Sequence, residues 1–201
     1  MTTIFIMAQG QQTRMGAAVS VPKQLLEVNG EPIVSRTIRL LGARPFFVVA
    51  ETNDHWRALD HPTPILTLPN PGKHLVNGIM ACKQFWTDDT LFLLGDVIYS
   101  RATFDRILLE KTRSLLVWGR TTPNFVTKRG WPEMYALRFG PGGAHRITEQ
   151  AAACQNLHDV CVKIAWKDEF REVSDFTDDI DWPKDLETLP ALSEAVRQEE
   201  L

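Results

Sequence analysis

Short, fully apolar segments alternate in the first half of the chain with segments whose apolar residues recur at helical spacing. Strand-length apolar runs lie at residues 3–8, 45–50, 65–68, 91–94 and 115–118, and helical patterns lie at 32–41, 75–86 and 100–112. Strands that are apolar on both sides must be covered on both faces, which a parallel sheet with flanking helices achieves. We therefore predict an α/β fold with three layers, α/β/α, around a mostly parallel sheet.

The second half of the chain has a different pattern. Residues 133–139 and 158–166 alternate like half-exposed strands on either side of a Pro-Gly-Gly turn, and an amphipathic helix follows Pro183. These strands predict an antiparallel or mixed extension of the sheet. At about 150 residues per domain, a chain of 201 residues predicts a single domain over 1–201, with a soft division between halves 1–120 and 121–201.

The charge balance limits the partners. Twenty-two Lys and Arg face twenty-five Asp and Glu, for a net charge of -3, whereas binding to nucleic acid or a membrane surface needs a basic excess. No apolar segment has the length of a membrane span, no secretory leader is evident, and the three Cys form no CxxC pair. We expect a cytoplasmic protein with no nucleic-acid or membrane partner, and the sequence leaves a homo-oligomer open.

The loop after the first apolar run, Ala8 to Gly16, has the composition of an anion site. In open parallel sheets, ligands bind beyond the carboxyl ends of the strands, where this loop is expected. Gly10 and Gly16 allow a close backbone approach, free N–H groups can cradle an anion, and Arg14 adds a guanidinium for phosphate oxygens. Lys23, behind the rigid Pro22, adds a point charge suited to a phosphoryl group.

Two acidic segments are candidates for a metal. Asp96 follows the apolar run 91–94, and a carboxylate at the end of a buried strand suits Mg²⁺, which prefers oxygen ligands. Asp179 and Asp181 lie two positions apart in the late segment 177–186, so an extended backbone would project both to one side. Asp185 falls in the first turn of the predicted terminal helix, where a negative charge is stabilising.

The segments IFIMAQGQQTRMG and PKQLLEVNGEPIVSRTI together resemble the signature of the nucleotidyltransferases with a GT-A-type, Rossmann-like fold. This group includes sugar-1-phosphate nucleotidyltransferases, phosphocholine and methylerythritol-phosphate cytidylyltransferases, and molybdenum-cofactor guanylyltransferases. The residues in register with its pattern are Gly10, Thr13, Arg14, Met15, Pro22, Lys23, Leu25, Leu26, Val28, Gly30 and Pro32. Gln9 and Gln12 depart from it, since a small residue and a second glycine are usual there.

The resemblance implies transfer of a nucleotidyl group from an NTP to a small phosphorylated acceptor, with Mg²⁺ as cofactor and release of pyrophosphate. A short chain suits a compact acceptor, such as a sugar phosphate or a phosphorylated alcohol or amine, and CTP is slightly preferred as donor. The implied residues are, for catalysis, Arg14 and Lys23; for the nucleotide, Ala8, Gln9, Gly10, Gln11, Gln12, Thr13, Asn77 and Gly78; for the metal, Asp96 and Asp181; and for the acceptor, Glu149 and Lys163. Whether Asp179 or Asp181 is the second metal ligand stays open.

Two other functions fit parts of the sequence. A GT-A glycosyltransferase that uses a nucleotide-sugar would usually carry D-x-D after a central strand, whereas the central strand here ends in Gly95-Asp96 and the D-x-D at Asp179 comes late. A catalytically weak, nucleotide-binding regulator is suggested by Gln9, Gln12 and Gln150, which replace residues usual in the family.

Overall fold

The computed structural model of the protein describes residues 1–9, 15–50, 65–67, 75–130, 132–151 and 169–201. The strands are β1 (Thr3–Met7), β2 (Glu27–Val28), β3 (Glu31–Pro32), β4 (Phe47–Ala50), β5 (Ile65–Thr67), β6 (Thr90–Leu94), β7 (Val97–Ile98), β8 (Leu115–Arg120), β9 (Glu133–Phe139), β10 (Phe170–Glu172) and β11 (Asp178–Asp179). The α-helices are α1 (Ile33–Leu41), α2 (Leu75–Ala81), α3 (Arg101–Leu109), α4 (Gly143–Ala151) and α5 (Leu189–Glu200). Short 3-10 helices cover Gly16–Ala18, Lys23–Leu25, Lys83–Phe85 and Pro183–Thr188.

Seven strands form one mixed sheet in the order β10-β8-β9-β6-β1-β4-β5. Strand β9 is antiparallel to both of its neighbours, and the other pairs in the sheet are parallel. Met7 at the end of β1 is in register with Leu94 at the end of β6, so the two strands finish at the same edge. Immediately beyond, Gly95 donates its N–H to the Met7 carbonyl at 3.0 Å, and a Cβ there would lie 2.9 Å from that oxygen, which explains the glycine.

Successive side chains of a strand point to opposite faces of the sheet, and helices cover both faces. Ile4 and Ile6 of β1 face a core that contains residues of α1 and α3, whereas Phe5 and Met7 face a core that contains residues of α2 and α4. The predicted three-layer arrangement and the mostly parallel mixed sheet are therefore confirmed. A third apolar cluster joins α5 to the segments around β2, β7 and β11.

Several element predictions agree with the structure in detail. Ser100 caps α3, accepting the N–H of Thr103 at 3.0 Å, and Gly42 ends α1 with a φ of 62°. Pro32 was predicted in the first turn of α1 but lies one residue before it, as the last residue of β3.

Helix α4 was not predicted, because the Pro-Gly-Gly turn was interpreted as a connection between two strands. Its inward stripe of Ala144, Ile147 and Ala151 packs on the sheet face that α2 also covers. Strand β9 is buried for most of its length rather than half-exposed, since it lies between β6 and β8. The predicted strand at 158–166 lies outside the described residues. Within the described ranges, no helix is both long and apolar enough to cross a membrane.

Candidate active site

A two-stranded antiparallel ribbon of β7 and β11 brings the two acidic segments together. Val97 pairs with Asp179 and Ile98 with Asp178, and the N–H of Ile180 donates to the Asp96 carbonyl at 3.3 Å. Asp96 therefore meets the late acidic segment although about eighty residues of chain separate them. The ribbon lies just beyond the carboxyl end of β6, at the edge of the sheet where the sequence predicted the site.

Lys23 lies between the two carboxylates that the sequence proposed as metal ligands. Its ammonium Nζ contacts Asp96 Oδ2 and lies 2.5 Å from Asp181 Oδ1. The three side chains, which we call the lysine clamp, are each about 15% exposed. Burial alone would lower the pKa of Lys23, but the charges and hydrogen bonds of Asp96 and Asp181 outweigh it and raise that pKa.

A third carboxylate, from Glu133, extends this acidic group. Glu133, Asp179 and Asp181 each offer an oxygen within 4.8 Å of the others. Burial, followed by the charge of Glu133, raises the pKa of Asp179 well above its ordinary value, while Arg129 opposes the shift. Glu133 was not identified from the sequence. The strand 133–139 was predicted, but its antiparallel pairing with β6 and β8, which brings Glu133 to this edge, is a feature of the tertiary structure.

Behind the clamp lies a buried cluster of Arg120, Arg129, Asp178 and Asp185, which we call the arginine network. Arg120 Nη2 donates to Asp178 Oδ1 at 3.1 Å, and Arg129 Nη1 donates to Asp185 Oδ2 at 2.9 Å. Arg129 Nη2 also contacts the carboxylates of Asp178 and Asp179. All four side chains are at most 5% exposed. Neither arginine was singled out in the sequence, since nothing in its local pattern distinguishes a buried arginine from a solvated one.

Asp185 connects the network to the clamp. Its carboxylate accepts the backbone N–H groups of Asp181 at 2.9 Å and Trp182 at 2.7 Å, at the start of the Pro183–Thr188 helix. It therefore serves the beginning of this helix, as the sequence predicted, and also fixes the backbone that carries Asp181. Arg129 in turn holds Asp185 in place.

The loop after β1 is described only at its start, and Gly10, Gln11, Gln12, Thr13 and Arg14 lie outside the described residues. Ala8 donates its N–H to the Val49 carbonyl at 2.8 Å. The Gln9 side chain packs on Gly78 of α2 so closely that a Cβ at Gly78 would lie 1.8 Å from Gln9 Nε2. Gln9 Oε1 is buried and has no hydrogen-bond partner among the described residues. The structure thus brings Gln9 and Gly78 together, with Asn77 exposed beside them.

Of the two residues proposed for the acceptor, the structure describes Glu149. Glu149 lies on α4 with 58% of its side chain exposed, where its carboxylate is 3.3 Å from His145 Nε2 on the same helix. Glu149 therefore pairs with a residue of its own helix, and its role toward the acceptor stays a prediction. Lys163 lies outside the described residues.

Solved structures of similar fold include nucleotidyltransferases. A nucleotidyl transferase from Methanothermobacter superposes with a TM-score of 0.71 at 16% identity, covering 98% of this chain and 99% of that one. The inositol-1-phosphate CTP transferase from T. maritima superposes with a TM-score of 0.67 at 13% identity, covering 96% and 95%. At these identities the similarity establishes a shared Rossmann-like fold.

A match to a family model identifies the family. Residues 4–157 match the model of the MobA-like NTP transferase domain. The chain therefore belongs to this family and is a nucleotidyltransferase by class, as the motifs of its first 32 residues predicted. A comparison with curated proteins finds no match.

Proposed function

We propose that the protein transfers a nucleotidyl group from an NTP, with CTP slightly preferred, to a small phosphorylated acceptor and releases pyrophosphate. The observation that carries this proposal is the lysine clamp: Lys23, Asp96 and Asp181 meet beyond the ends of β1 and β6. Two carboxylates and one ammonium at this edge suit a reaction in which negative charge must be held and neutralised.

The carboxylates suit a divalent cation of the Mg²⁺ type. All candidate ligands are carboxylate oxygens, the donors that Mg²⁺ prefers, and Asp181 belongs both to the clamp and to the group with Glu133 and Asp179. Asp181 is the better second ligand, because the Asp179 carboxylate is buried and held by Arg129 whereas Asp181 faces Lys23. Bound between Asp96 and Asp181, Mg²⁺ would neutralise charge on the phosphates.

The remaining chemistry belongs to the protein's own side chains. An acceptor phosphate oxygen attacks the α-phosphorus of the NTP, the bond to the bridging oxygen breaks, and pyrophosphate leaves with that oxygen. Lys23 neutralises charge that develops during this transfer, and Arg14 with the loop amides of Gly10 to Thr13 holds the triphosphate. Positioning and charge neutralisation suffice, since phosphoryl chemistry of this kind needs no covalent help from the protein.

Gln9, Asn77 and Gly78 are proposed to contact the nucleoside, with Ala8 bordering the same pocket. Their support is the packing of the Gln9 amide on Gly78, next to the end of β1. Gln9 Oε1 has no hydrogen-bond partner among the described residues, and we propose that the side chain turns outward to accept from a donor group of the base. The exocyclic amino group of cytosine is such a donor. Glu149 and Lys163 stay as proposed acceptor contacts.

The direct test is pyrophosphate release with each of the four NTPs, Mg²⁺ and a panel of phosphorylated acceptors that includes inositol 1-phosphate, glucose 1-phosphate and phosphocholine. We expect turnover that needs both substrates and is fastest with CTP. Asp96→Asn should lower kcat/KM by at least about 100-fold, or roughly 2.7 kcal/mol, the scale of a lost electrostatic contact in a transition state.

Asp105→Asn is the matched control, because Asp105 is half-exposed on α3 and has no role in the proposal. Nucleotide binding without pyrophosphate release for any acceptor would instead support the regulator. Release of a free nucleotide from a nucleotide-sugar would support the glycosyltransferase.

A further inference from the structure

We propose that Lys23 is the resting counter-ion of the metal site: its ammonium neutralises Asp96 and Asp181 and leaves them when a divalent cation binds. The inference rests on the proposed function, because it takes these carboxylates as metal ligands. It gives Lys23 two successive positions, first on the carboxylates and then on the phosphates.

The ammonium occupies the place between the two carboxylates. The Lys23 nitrogen is within hydrogen-bond distance of one oxygen from each carboxylate, Asp96 Oδ2 and Asp181 Oδ1. Mg²⁺ binds carboxylate oxygens directly, at about 2.0–2.1 Å. A divalent cation bound between these same two oxygens would overlap with the ammonium and be repelled by its like charge. We therefore expect Lys23 to withdraw when a cation takes this place.

The local charge explains why a resting counter-ion is needed. Asp96, Asp179, Asp181 and Glu133 bring four carboxyl groups to one edge of the sheet, and oxygens of Glu133, Asp179 and Asp181 lie within 4.8 Å of one another. Lys23 offsets Asp96 and Asp181, whose side chains are 15% and 14% exposed. Without it, the metal-free site would carry carboxylates in close proximity with less compensation.

Lys23 can leave its partners more easily than Arg129 can. Arg129, another cation that contacts the acidic group, is 5% exposed and donates to Asp178, Asp179 and Asp185 at once. Lys23 is three times as exposed and holds its partners through a single nitrogen on a flexible four-carbon stem. Loss of two contacts at one nitrogen therefore leaves the arginine network intact.

The test is a titration of Mn²⁺ into the nucleotide-free protein, followed by calorimetry or by the EPR signal of free Mn²⁺. Lys23→Met should bind Mn²⁺ about tenfold more tightly than the wild type, because the competing ammonium is gone. Lys23→Arg keeps the charge and should not tighten binding. Lys83→Met is the matched control, since Lys83 also begins a 3-10 helix, with the similar sequence Lys-Gln-Phe, and is exposed.

Two further variants separate this inference from the proposed function. Asp96→Asn should weaken Mn²⁺ binding severely and Asp181→Asn by about tenfold, and unchanged binding in both would refute the metal site itself. If these variants lose Mn²⁺ while Lys23→Met binds it no more tightly than the wild type, the site stands and the counter-ion role of Lys23 is wrong.

Thermal unfolding gives a second measurement that does not depend on activity. Without metal, Lys23→Met should unfold at a lower temperature than the wild type, and saturating Mn²⁺ should raise its Tm by more than it raises the wild-type Tm. Equal Mn²⁺-induced shifts would overturn the proposal. If Lys23→Met does not fold, Lys23→Gln serves as the neutral variant with a polar end.

Discussion

The arginine network and the lysine clamp are adjacent, draw on the same late acidic segment and use the same kinds of charge, yet they are built differently. The network is almost fully buried and joins each arginine to several acceptors through different nitrogens. The clamp is partly exposed and depends on one nitrogen. A guanidinium with several fixed donors favours a rigid structure, whereas an ammonium on a flexible side chain can exchange one hydrogen-bond partner for another. We therefore propose that the network maintains the site and that the clamp takes part in the chemistry.

The strongest test of this contrast is Asp178→Asn. Asp178 is fully buried and pairs with both Arg120 and Arg129, so removal of its charge leaves two buried guanidinium groups undercompensated. We expect the free energy of unfolding to fall by about 3–5 kcal/mol, measured by urea denaturation. Added Mg²⁺ should not restore it. Asp105→Asn, on the surface of α3, should change stability by less than about 0.5 kcal/mol. A stable Asp178→Asn protein would remove the distinction between the two clusters.

Lys23→Ala should have the next largest effect, and its main effect should be on turnover. Its charge matters most when negative charge redistributes in the transition state, so kcat should fall by at least about 100-fold, roughly 2.7 kcal/mol. Steady-state kinetics with saturating NTP measures it. A raised KM with unchanged kcat would instead assign Lys23 to ground-state binding.

Asp181→Asn should be milder, because the amide keeps one oxygen able to bind a cation. We expect kcat/KM to fall by about tenfold, or about 1.4 kcal/mol, with a corresponding rise in the Mg²⁺ concentration needed for half-maximal rate. Asp179→Asn tests the alternative ligand. If Asp179→Asn abolishes the dependence on Mg²⁺ and Asp181→Asn does not, the metal ligand is two residues earlier than proposed.

A third ion-pair cluster, at the opposite edge of the sheet, gives the smallest effect and a pH signature. Asp89, just before β6, accepts from Arg138 Nε at 2.6 Å and also contacts Lys111. Partial burial would raise the pKa of Asp89, but hydrogen bonds from Arg138, Lys111 and Thr2 lower it below its ordinary value. Its contribution to stability is therefore full above the unfolded-state pKa, near 4, and is lost as the pH falls further.

Asp89→Asn should accordingly destabilise the protein by about 1 kcal/mol at pH 7, with no change in kcat. The difference from the wild type should shrink as the pH falls from about 5 to about 2, measured by urea denaturation at each pH. A difference that stays constant over this range would show that packing, and not charge, explains the effect.

The amino-acid sequence by itself determined the alternation of strands and helices, the class of fold, and the signature from Gly10 to Pro32. These features depend on neighbouring residues. The spacing of apolar residues indicates which face of a strand or helix is buried, and a loop motif indicates a backbone conformation that can bind phosphates. It also placed Asp96 at the end of a strand and Asp185 at the start of a helix, since each position depends only on neighbouring residues.

Only the tertiary structure decided which charges meet. The pairing of β7 with β11 brings Asp96 close to Asp181. The antiparallel direction of β9 brings Glu133 to the same edge. Arg129, which the sequence does not distinguish from other basic residues, is buried and holds the acidic segment through its hydrogen bonds. Contacts between residues so far apart in the chain depend on strand order and direction, which no local pattern encodes. For the same reason the motif around Lys23 did not reveal that Lys23 pairs with Asp96 and Asp181. The motif did predict that Lys23 lies where phosphates would bind.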